Sequence, residues 1–143
     1  MFDFRPVLFL VGLLLVALAG TMLVPALVEM LSGTPDWRAF GFSAAATMFV
    51  GGALVLATHS ERARLGLRQA FLTTALCWLI AALFSSLPFT LMGVPLSFTD
   101  AFFEAMSGIT TTGSTVMIGL DHAPPGILLW RALLQWFGGV GII

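Results

Sequence analysis

The sequence predicts an all-α integral membrane protein, and two features of its composition and patterning support this fold class. Apolar residues make up 59 % of the chain and charged residues 9 %, whereas a soluble domain carries roughly 25 % charged residues. The mean hydropathy is +1.04. Apolar runs of about twenty residues recur along the chain, and such a run is long enough to cross a hydrocarbon core about 30 Å thick.

The composition also argues against other functional classes. The net charge of −1 gives no basis for binding nucleic acid, and we expect no such partner. The single cysteine, Cys77, lies in an apolar run and is interpreted as a buried structural thiol. The chain contains no Gly-x-Ser-x-Gly or His-Glu-x-x-His motif and no carboxylate pair that one spanning helix would present. We therefore expect neither an enzyme nor a cofactor.

The first two predicted spans form a helical hairpin. The first covers about residues 6–31, and its apolar run is too long for a cleaved signal peptide. Pro25 should kink or end this helix near its outer end, and Glu29 should lie at the membrane interface. The second span covers about residues 39–58 and is rich in small residues, which let helix backbones approach closely in lipid.

The most polar stretch, residues 59–69, predicts the orientation. It carries Glu61 and three arginines, Arg62, Arg64 and Arg68. By the positive-inside rule this loop is cytoplasmic, so the N-terminus with Arg5 is cytoplasmic too. The arginines could also bind anionic membrane lipid or a cytoplasmic partner, although orientation alone accounts for them.

The third span covers about residues 70–92 and runs from inside to outside, so residues 97–116 begin on the outer side. Ser97 and Asp100 fit a helix capping box. The helix that they open should break at Ser107-Gly108. About ten helical residues reach roughly 15 Å, which is half of the hydrocarbon core.

A hydroxyl-rich segment follows this half-length helix: Thr110-Thr111-Thr112-Gly113-Ser114-Thr115. Irregular backbone at membrane depth is tolerated only where protein buries it or water lines it, so the pattern predicts a re-entrant pore loop. Rings of backbone carbonyls can replace the water shell of a cation. Gly113 can adopt a positive φ without penalty, which would help successive carbonyls point to one side.

The fourth span opens at about Ile127 and reaches Ile143 after about seventeen residues, the bottom of the spanning range. It has no polar cap and looks like a helix cut in the middle. The sequence thus predicts two units. Residues 1–68 form a two-helix transmembrane hairpin, and residues 69–143 form an incomplete helix–pore loop–helix repeat of potassium-channel type, whose last helix is truncated.

Charged residues near the pore loop have two possible roles. Asp100 is interpreted as the cap of the pore helix, with attraction of cations at the pore mouth as the alternative. Ionisable residues inside a membrane usually pair, so we expect Glu104 and Arg131 to lie together and brace the pore helix. A separation beyond about 6 Å would refute this pairing. Gln135 could hydrogen-bond in the same region or merely pack there.

Two stretches of the sequence resemble a known family. They are Asp100-Ala-Phe-Phe-Glu-Ala-Met-Ser-Gly-Ile-Thr-Thr-Thr-Gly-Ser-Thr-Val and Gly126-Ile-Leu-Leu-Trp-Arg-Ala-Leu-Leu-Gln-Trp-Phe-Gly-Gly-Val-Gly-Ile-Ile. Residues 98–143 resemble the first pore repeat of the Trk-type potassium uptake proteins of the Trk/Ktr/HKT superfamily. The resemblance implies four repeats around one pore in the bacterial inner membrane. It also implies a homodimer in the full-length form and a cytoplasmic nucleotide-binding regulatory subunit.

The resemblance further implies roles for individual residues. Potassium, the transported substrate, would be bound by carbonyls of the filter residues Thr111, Thr112, Gly113 and Ser114, with ion sites at the first two. Five residues would support this filter: Thr110, Thr115, Asp100, Glu104 and Arg131. Some members of the superfamily conduct sodium and carry serine at the glycine position, so Gly113 favours potassium.

One filter segment is about a quarter of a filter, so we expect the chain alone to be inactive. The alternative is a non-transport helical membrane subunit that assembles with other chains. It explains the composition equally well, but it does not explain a half-length helix that ends in Thr-Thr-Thr-Gly.

Overall fold

A computed structural model describes residues 4–59 and 66–141 of the chain. Within these ranges the structure is helical and contains no strand, which confirms the all-α prediction. The helices are α1 Arg5–Leu31, α2 Trp37–Thr58, α3 Leu67–Ser85, α4 Leu87–Leu91, α5 Phe98–Ile109 and α6 Pro125–Gly141. A 3-10 helix, Leu120–His122, lies in the connection between α5 and α6.

Three helical stretches of the described chain are long and apolar enough to cross a membrane. They are Arg5–Leu31, Trp37–Thr58 and Leu67–Leu91, and the last of them contains both α3 and α4. Large apolar side chains such as Phe49 and Leu56 are exposed on α2. In lipid such exposure needs no protein cover, because the hydrocarbon is itself an apolar solvent.

The predicted hairpin of α1 and α2 is present, and two glycines allow its helices to cross closely. A Cβ atom at Gly12 would lie 3.0 Å from the carbonyl oxygen of Gly51, and one at Gly51 would lie 2.8 Å from Leu15 Cβ. Pro25 was predicted to kink or end the first helix, and it does not end it, since α1 continues through it to Leu31. A proline removes only one helical N–H, and the buried ring of Pro25 packs within the fold.

The third span, predicted over about residues 70–92, is present as Leu67–Leu91 and consists of two helices. Helix α3 ends at Ser85, and α4 begins at Leu87 with Pro88 in its first turn. Proline has no N–H to donate to the preceding turn and suits the first turn of a new helix. The hydroxyl of Ser86 donates to the Leu83 carbonyl at 2.7 Å and so satisfies one of the acceptors left at the end of α3.

The core lies where α1, α2, α5 and α6 meet. Trp130 of α6 is fully buried, and its ring meets Phe40 of α2 edge to face at 6.1 Å between centroids. The Trp130 indole nitrogen donates to the Ser85 carbonyl at 3.0 Å, so α6 is also tied to the end of α3. Helix α5 packs against α3, α4 and α6. This packing fixes the position of the helix from which residues 110–115 continue.

Two contacts define the two ends of the hairpin. The rings of Phe9 and His59 stack at 5.9 Å at one end, and Glu29 contacts Gly126 at the other. The orientation prediction rests partly on Glu61, Arg62 and Arg64, which lie outside the described residues. Ile143, the predicted end of the fourth span, lies outside them too. Arg68 lies in the first turn of α3.

Candidate functional site

The capping box predicted for the start of α5 is present. The Ser97 hydroxyl oxygen accepts a hydrogen bond from the Asp100 backbone N–H at 3.1 Å. In return, Asp100 Oδ2 accepts from the Ser97 N–H at 3.3 Å and from the Ser97 hydroxyl at 2.7 Å. Asp100 therefore lies at the opposite end of α5 from the hydroxyl-rich residues, and the structure does not bring it to them.

Helix α5 contains 12 residues and ends at Ile109, so the break predicted at Ser107-Gly108 comes two residues too early. Gly108 is helical because it serves close packing: a Cβ atom there would lie 3.0 Å from Leu134 Cβ of α6. Gly138 of α6 has a similar role, since a Cβ atom there would overlap the Ile109 carbonyl. The last turn of α5 and α6 are thus in backbone contact.

Residues 110–115, called the hydroxyl segment below, fold back over the end of α5. The N–H groups of Thr112 and Gly113 both donate to the Ser107 carbonyl, at 3.0 and 3.2 Å, and Thr111 N–H donates to Gly108 at 2.9 Å. These bonds satisfy carbonyls that the end of a helix leaves without partners. The hydroxyl of Thr110 donates to the Met106 carbonyl at 2.7 Å and lies 2.9 Å from that of Thr112.

The carbonyls of Thr111, Thr112 and Gly113 accept no hydrogen bond from any residue that the structure describes. All three residues are exposed. Thr111 has a φ of 59° and Gly113 a φ of 78°, and a positive φ is unusual for threonine because of its Cβ atom. The segment therefore presents three neighbouring backbone oxygens that lie beyond the end of α5 and are free to bind a ligand.

Ser114 differs from these three residues. Its carbonyl accepts a hydrogen bond from the Ser107 hydroxyl at 2.6 Å. A carbonyl oxygen has two lone pairs, so one acceptor position remains. The Ser107 bond ties the far end of the hydroxyl segment back to α5, only seven residues earlier in the chain.

The carboxyl group of Glu104 holds the chain as it leaves the hydroxyl segment. Glu104 is 1 % exposed. Its Oε1 atom accepts from the Thr115 hydroxyl at 2.5 Å, from Val116 N–H at 2.6 Å and from Met117 N–H at 3.2 Å. Residues 115–117 are therefore fixed by one side chain of α5. They are called the return strand below because they lead the chain away from the hydroxyl segment, although they belong to no β-sheet.

Glu104 also pairs with Arg131, as charge complementarity predicted. Arg131 Nε donates to Glu104 Oε2 at 3.0 Å, well inside the 6 Å expected of a close pair. The arginine side chain is 15 % exposed and that of the glutamate 0 %. The pair links α5 to α6, so the return strand is held by both helices.

The second half of α6 runs beside the hydroxyl segment. A Cβ atom at Gly113 would lie 3.8 Å from Gln135 Nε2, and one at Gly139 would lie 3.8 Å from Thr111 Cγ2. Among the described residues none hydrogen-bonds to Gln135, so its side chain packs beside Gly113.

Sequence reasoning missed one residue of this region, Glu29 of α1. The sequence analysis placed it at the membrane interface without a partner, and the structure shows that the protein buries it completely. Glu29 Oε1 accepts from Gly126 N–H at 2.5 Å, and Oε2 accepts from the Thr34 hydroxyl. A single acidic residue at the end of a long apolar run was the only signal that could have indicated a buried role.

Comparison with known proteins gives consistent matches. The model of the TrkH family, described as a cation transport protein, matches residues 38–143. The chain is 41 % identical over 142 residues to the Trk system potassium uptake protein TrkH of Escherichia coli K12, covering 99 % of this chain and 29 % of the relative. It is 43 % identical over 142 residues to TrkH of Halomonas elongata, covering 99 % of this chain and 30 % of that relative.

A solved structure agrees with these matches. The crystal structure of the potassium transporter TrkH from Vibrio parahaemolyticus superposes with a TM-score of 0.92 at 41 % identity, covering 99 % of this chain and 30 % of that one. The chain thus spans less than a third of the length of these relatives. The family match covers most of the chain, and the chain therefore belongs to the TrkH family of cation transport proteins.

Proposed function

We propose that this chain takes part in potassium transport across a membrane by contributing one of four selectivity-filter segments of a Trk-type uptake channel or transporter. Two observations support the proposal. The relatives named above are potassium uptake proteins, and the hydroxyl segment exposes three carbonyls, of Thr111, Thr112 and Gly113, without a donor in the described part of the chain. The second observation carries the proposal, because such oxygens can replace the water shell of a cation.

In this proposal the filter residues act through their backbones. The carbonyls of Thr111 and Thr112 bind potassium, Gly113 supplies a third oxygen, and Ser114 contributes its remaining lone pair. The C-terminal end of α5 points its partial negative charge toward the same place, which favours a cation. Thr110 and Thr115 support the segment through their hydroxyl groups, Glu104 and Arg131 fix the return strand, and Asp100 caps α5.

The proposed architecture places residues 1–68 as a membrane hairpin and residues 69–143 as one helix–pore loop–helix repeat. The other three filter segments would come from chain outside these 143 residues. In the full-length form we propose a homodimer, a cytoplasmic nucleotide-binding regulatory subunit, and insertion in the bacterial inner membrane with the N-terminus inside. We expect the 143-residue chain alone to be inactive. A potassium-selective flux through liposomes that contain only this chain would contradict that expectation.

Exchange of this segment into a relative tests the proposal. The chain would replace the matching 142 residues of E. coli TrkH in cells that lack other potassium uptake, and uptake would be followed with potassium and sodium. We expect the chimaera to support potassium uptake. Gly113→Ser should lower the ratio of potassium to sodium uptake by about tenfold, equivalent to about 1.4 kcal/mol of differential binding.

Gly119→Ser is the matched control, because Gly119 also has a positive φ, of 76°, but lies outside the hydroxyl segment. The strain of a side chain at positive φ is then common to both variants, and only Gly113 would affect the ion ratio. If Gly113→Ser and Gly119→Ser gave equal ratios, the filter assignment would be wrong, and a non-transport assembly role would be favoured.

A further inference from the structure

We propose that Glu29 is a positioning residue for the filter segment. Its carboxyl group fixes the start of α6 and, through this helix, the Arg131–Glu104 pair that holds the return strand. The inference rests on the proposed function, since it assigns Glu29 a role in shaping the same site. Glu29 itself would touch no ion.

The contact between Glu29 and α6 is built from buried groups. Glu29 is fully buried at the outer end of α1, 97 residues before its partner Gly126, whose N–H donates to Oε1 at 2.5 Å. The other oxygen accepts from the Thr34 hydroxyl in the turn after α1. Gly126 lies in the first turn of α6, where N–H groups have no helical acceptor and carry a partial positive charge. Glu29 supplies that acceptor.

The glycine at position 126 is a second, independent sign that this contact is specific. A Cβ atom there would lie 2.5 Å from Glu29 Oε1 and 2.6 Å from Glu29 Cγ. Real Cβ atoms essentially never approach so closely, so any larger residue would push the carboxyl group away. Glu29 and Gly126 therefore fit each other, and replacing either one should break the same contact.

Because α6 is a helix, fixing its start at Gly126 also fixes the residues that contact the filter segment. Gly126 and Arg131 are five residues apart, about 7.5 Å along a helix axis. The first two turns of α6 are tied to three helices: Gly126 to α1, Trp130 to the end of α3, and Arg131 to α5. The bond from Arg131 to Glu104 then depends on the position of α6 along its axis. The hydrogen bond from Gly126 to Glu29 is the contact that fixes the first turn of this helix.

An NMR experiment on the 143-residue chain in nanodiscs tests the proposal directly. Pro125-Gly126 is the only Pro-Gly pair in the sequence, so labelling with carbonyl-13C proline and 15N glycine isolates the Gly126 amide. Labelling with 15N arginine reports the Nε atom of Arg131, assigned with Arg131→Lys. The variants are Glu29→Leu, which removes the acceptor at similar volume, and Glu29→Gln, which keeps a neutral acceptor.

In Glu29→Leu we expect the Gly126 amide to exchange with solvent about tenfold faster, as for loss of a buried hydrogen bond. We also expect the Arg131 Nε resonance to move toward that of a Glu104→Gln variant. Glu29→Gln should restore most of both signals. Thr47→Ala is the control, because Thr47 is fully buried and hydrogen-bonded but lies on α2 away from α6.

Two outcomes would overturn the proposal. An unchanged Gly126 amide in Glu29→Leu would mean that the bond does not form. A changed Gly126 amide with an unchanged Arg131 resonance would mean that Trp130 alone fixes α6 and that Glu29 is only a structural brace. Should Glu29→Leu fail to fold, Gly126→Ala provides the second variant, since it displaces the same carboxyl group and should move the Arg131 resonance in the same direction.

The transport consequence is measured separately in the chimaera. Glu29→Leu should raise the potassium KM about threefold or more, a change of about 0.6 kcal/mol, with recovery in Glu29→Gln and none of this effect in Thr47→Ala. If the unaltered chimaera failed to transport potassium, the proposed function would fail while the NMR result still decided the role of Glu29. If it transported potassium but KM did not respond to Glu29→Leu, the positioning role would be refuted.

Discussion

Glu104 is the residue on which most of the bonds around the hydroxyl segment converge. One buried carboxyl group accepts from a hydroxyl, two backbone N–H groups and the Arg131 side chain. A buried charge is tolerated when it is paired and hydrogen-bonded. Helix α5 thereby controls both the beginning of the segment, through its own last carbonyls, and the return strand, through Glu104.

The two members of the ion pair should not be equivalent. Glu104→Ala leaves the Thr115 hydroxyl, the Val116 N–H and a charged arginine without partners, whereas the Met117 N–H keeps its bond to Thr115 Oγ1. We therefore expect it to destabilise the protein by about 3–5 kcal/mol. Arg131→Ala removes the one partner that Glu104 Oε2 has among the described residues. The other oxygen, Oε1, keeps its three donors, so we expect a smaller loss. Thermal unfolding of the purified chain in micelles would measure both, with Asp121→Asn as an exposed acidic control. Equal losses for the two variants would contradict the central role of Glu104.

The sequence allowed the Glu104–Arg131 pair to be predicted but not the other bonds of Glu104. Opposite charges at similar depth in a membrane are rare enough to suggest a partner. Backbone N–H groups occur at nearly every residue and leave no mark in the sequence, so the bonds from Val116 and Met117 could not be predicted. The contact of Glu29 with Gly126 could not be predicted for the same reason, because its donor is also a backbone N–H.

At the scale of elements, the site depends on how closely α5 and α6 approach. Gly108 and Gly138 remove the side chains that would separate the two backbones. This packing also explains why α5 passes Gly108 and ends at Ile109: the glycine that looked like a helix breaker is a contact point. Helix starts were easier to predict, because the Ser97 and Asp100 side chains form the cap locally.

Alanine substitution at the neighbouring glycines 138 and 139 should therefore affect the stability of the protein differently. A Cβ atom at Gly138 overlaps the Ile109 carbonyl, so Gly138→Ala should destabilise the protein by about 1–3 kcal/mol through overpacking. A Cβ atom at Gly139 meets only Thr111 Cγ2 at an ordinary 3.8 Å. Gly139→Ala should be neutral or stabilise α6 by up to about 1 kcal/mol. Thermal unfolding in micelles would compare them, and a stabilised Gly138→Ala would refute the close contact.

The break within the third span is a feature of this scale that the sequence analysis did not predict. Hydropathy is continuous across residues 70–92, and it says nothing about hydrogen bonds within the helix. The break at Ser86 arises because Pro88 has no backbone N–H to donate to the preceding turn. Trp130, distant in sequence, donates its indole N–H to the Ser85 carbonyl instead. Pro25 shows the converse, since α1 continues through it, and proline alone therefore did not decide where a helix ends.

For the whole molecule, the side-chain contacts place the helix ends in two groups, one at each end of the α1–α2 hairpin. The turn after α1 and the start of α6 meet through Thr34, Glu29 and Gly126. The end of α2 lies at the other end of the hairpin, beside Phe9. Arg5 and Arg68 lie in the first turns of α1 and α3 at this second end, and the sequence between α2 and α3 carries two more arginines. Arg38, near the first end, is accompanied by Asp36. We therefore expect the second end to be cytoplasmic.

Cysteine accessibility in E. coli cells would check this orientation. Cys77 is the only cysteine, so a Cys77→Ser background gives a chain without thiols. Ser32→Cys and Asp121→Cys introduce single thiols at exposed positions near the first end, and Gly66→Cys introduces one near the second. A membrane-impermeant thiol reagent should label the first two in intact spheroplasts and Gly66→Cys only after permeabilisation. Labelling in the reverse pattern would place the arginine-rich end outside, and the hydroxyl segment would then enter the membrane from the cytoplasmic side.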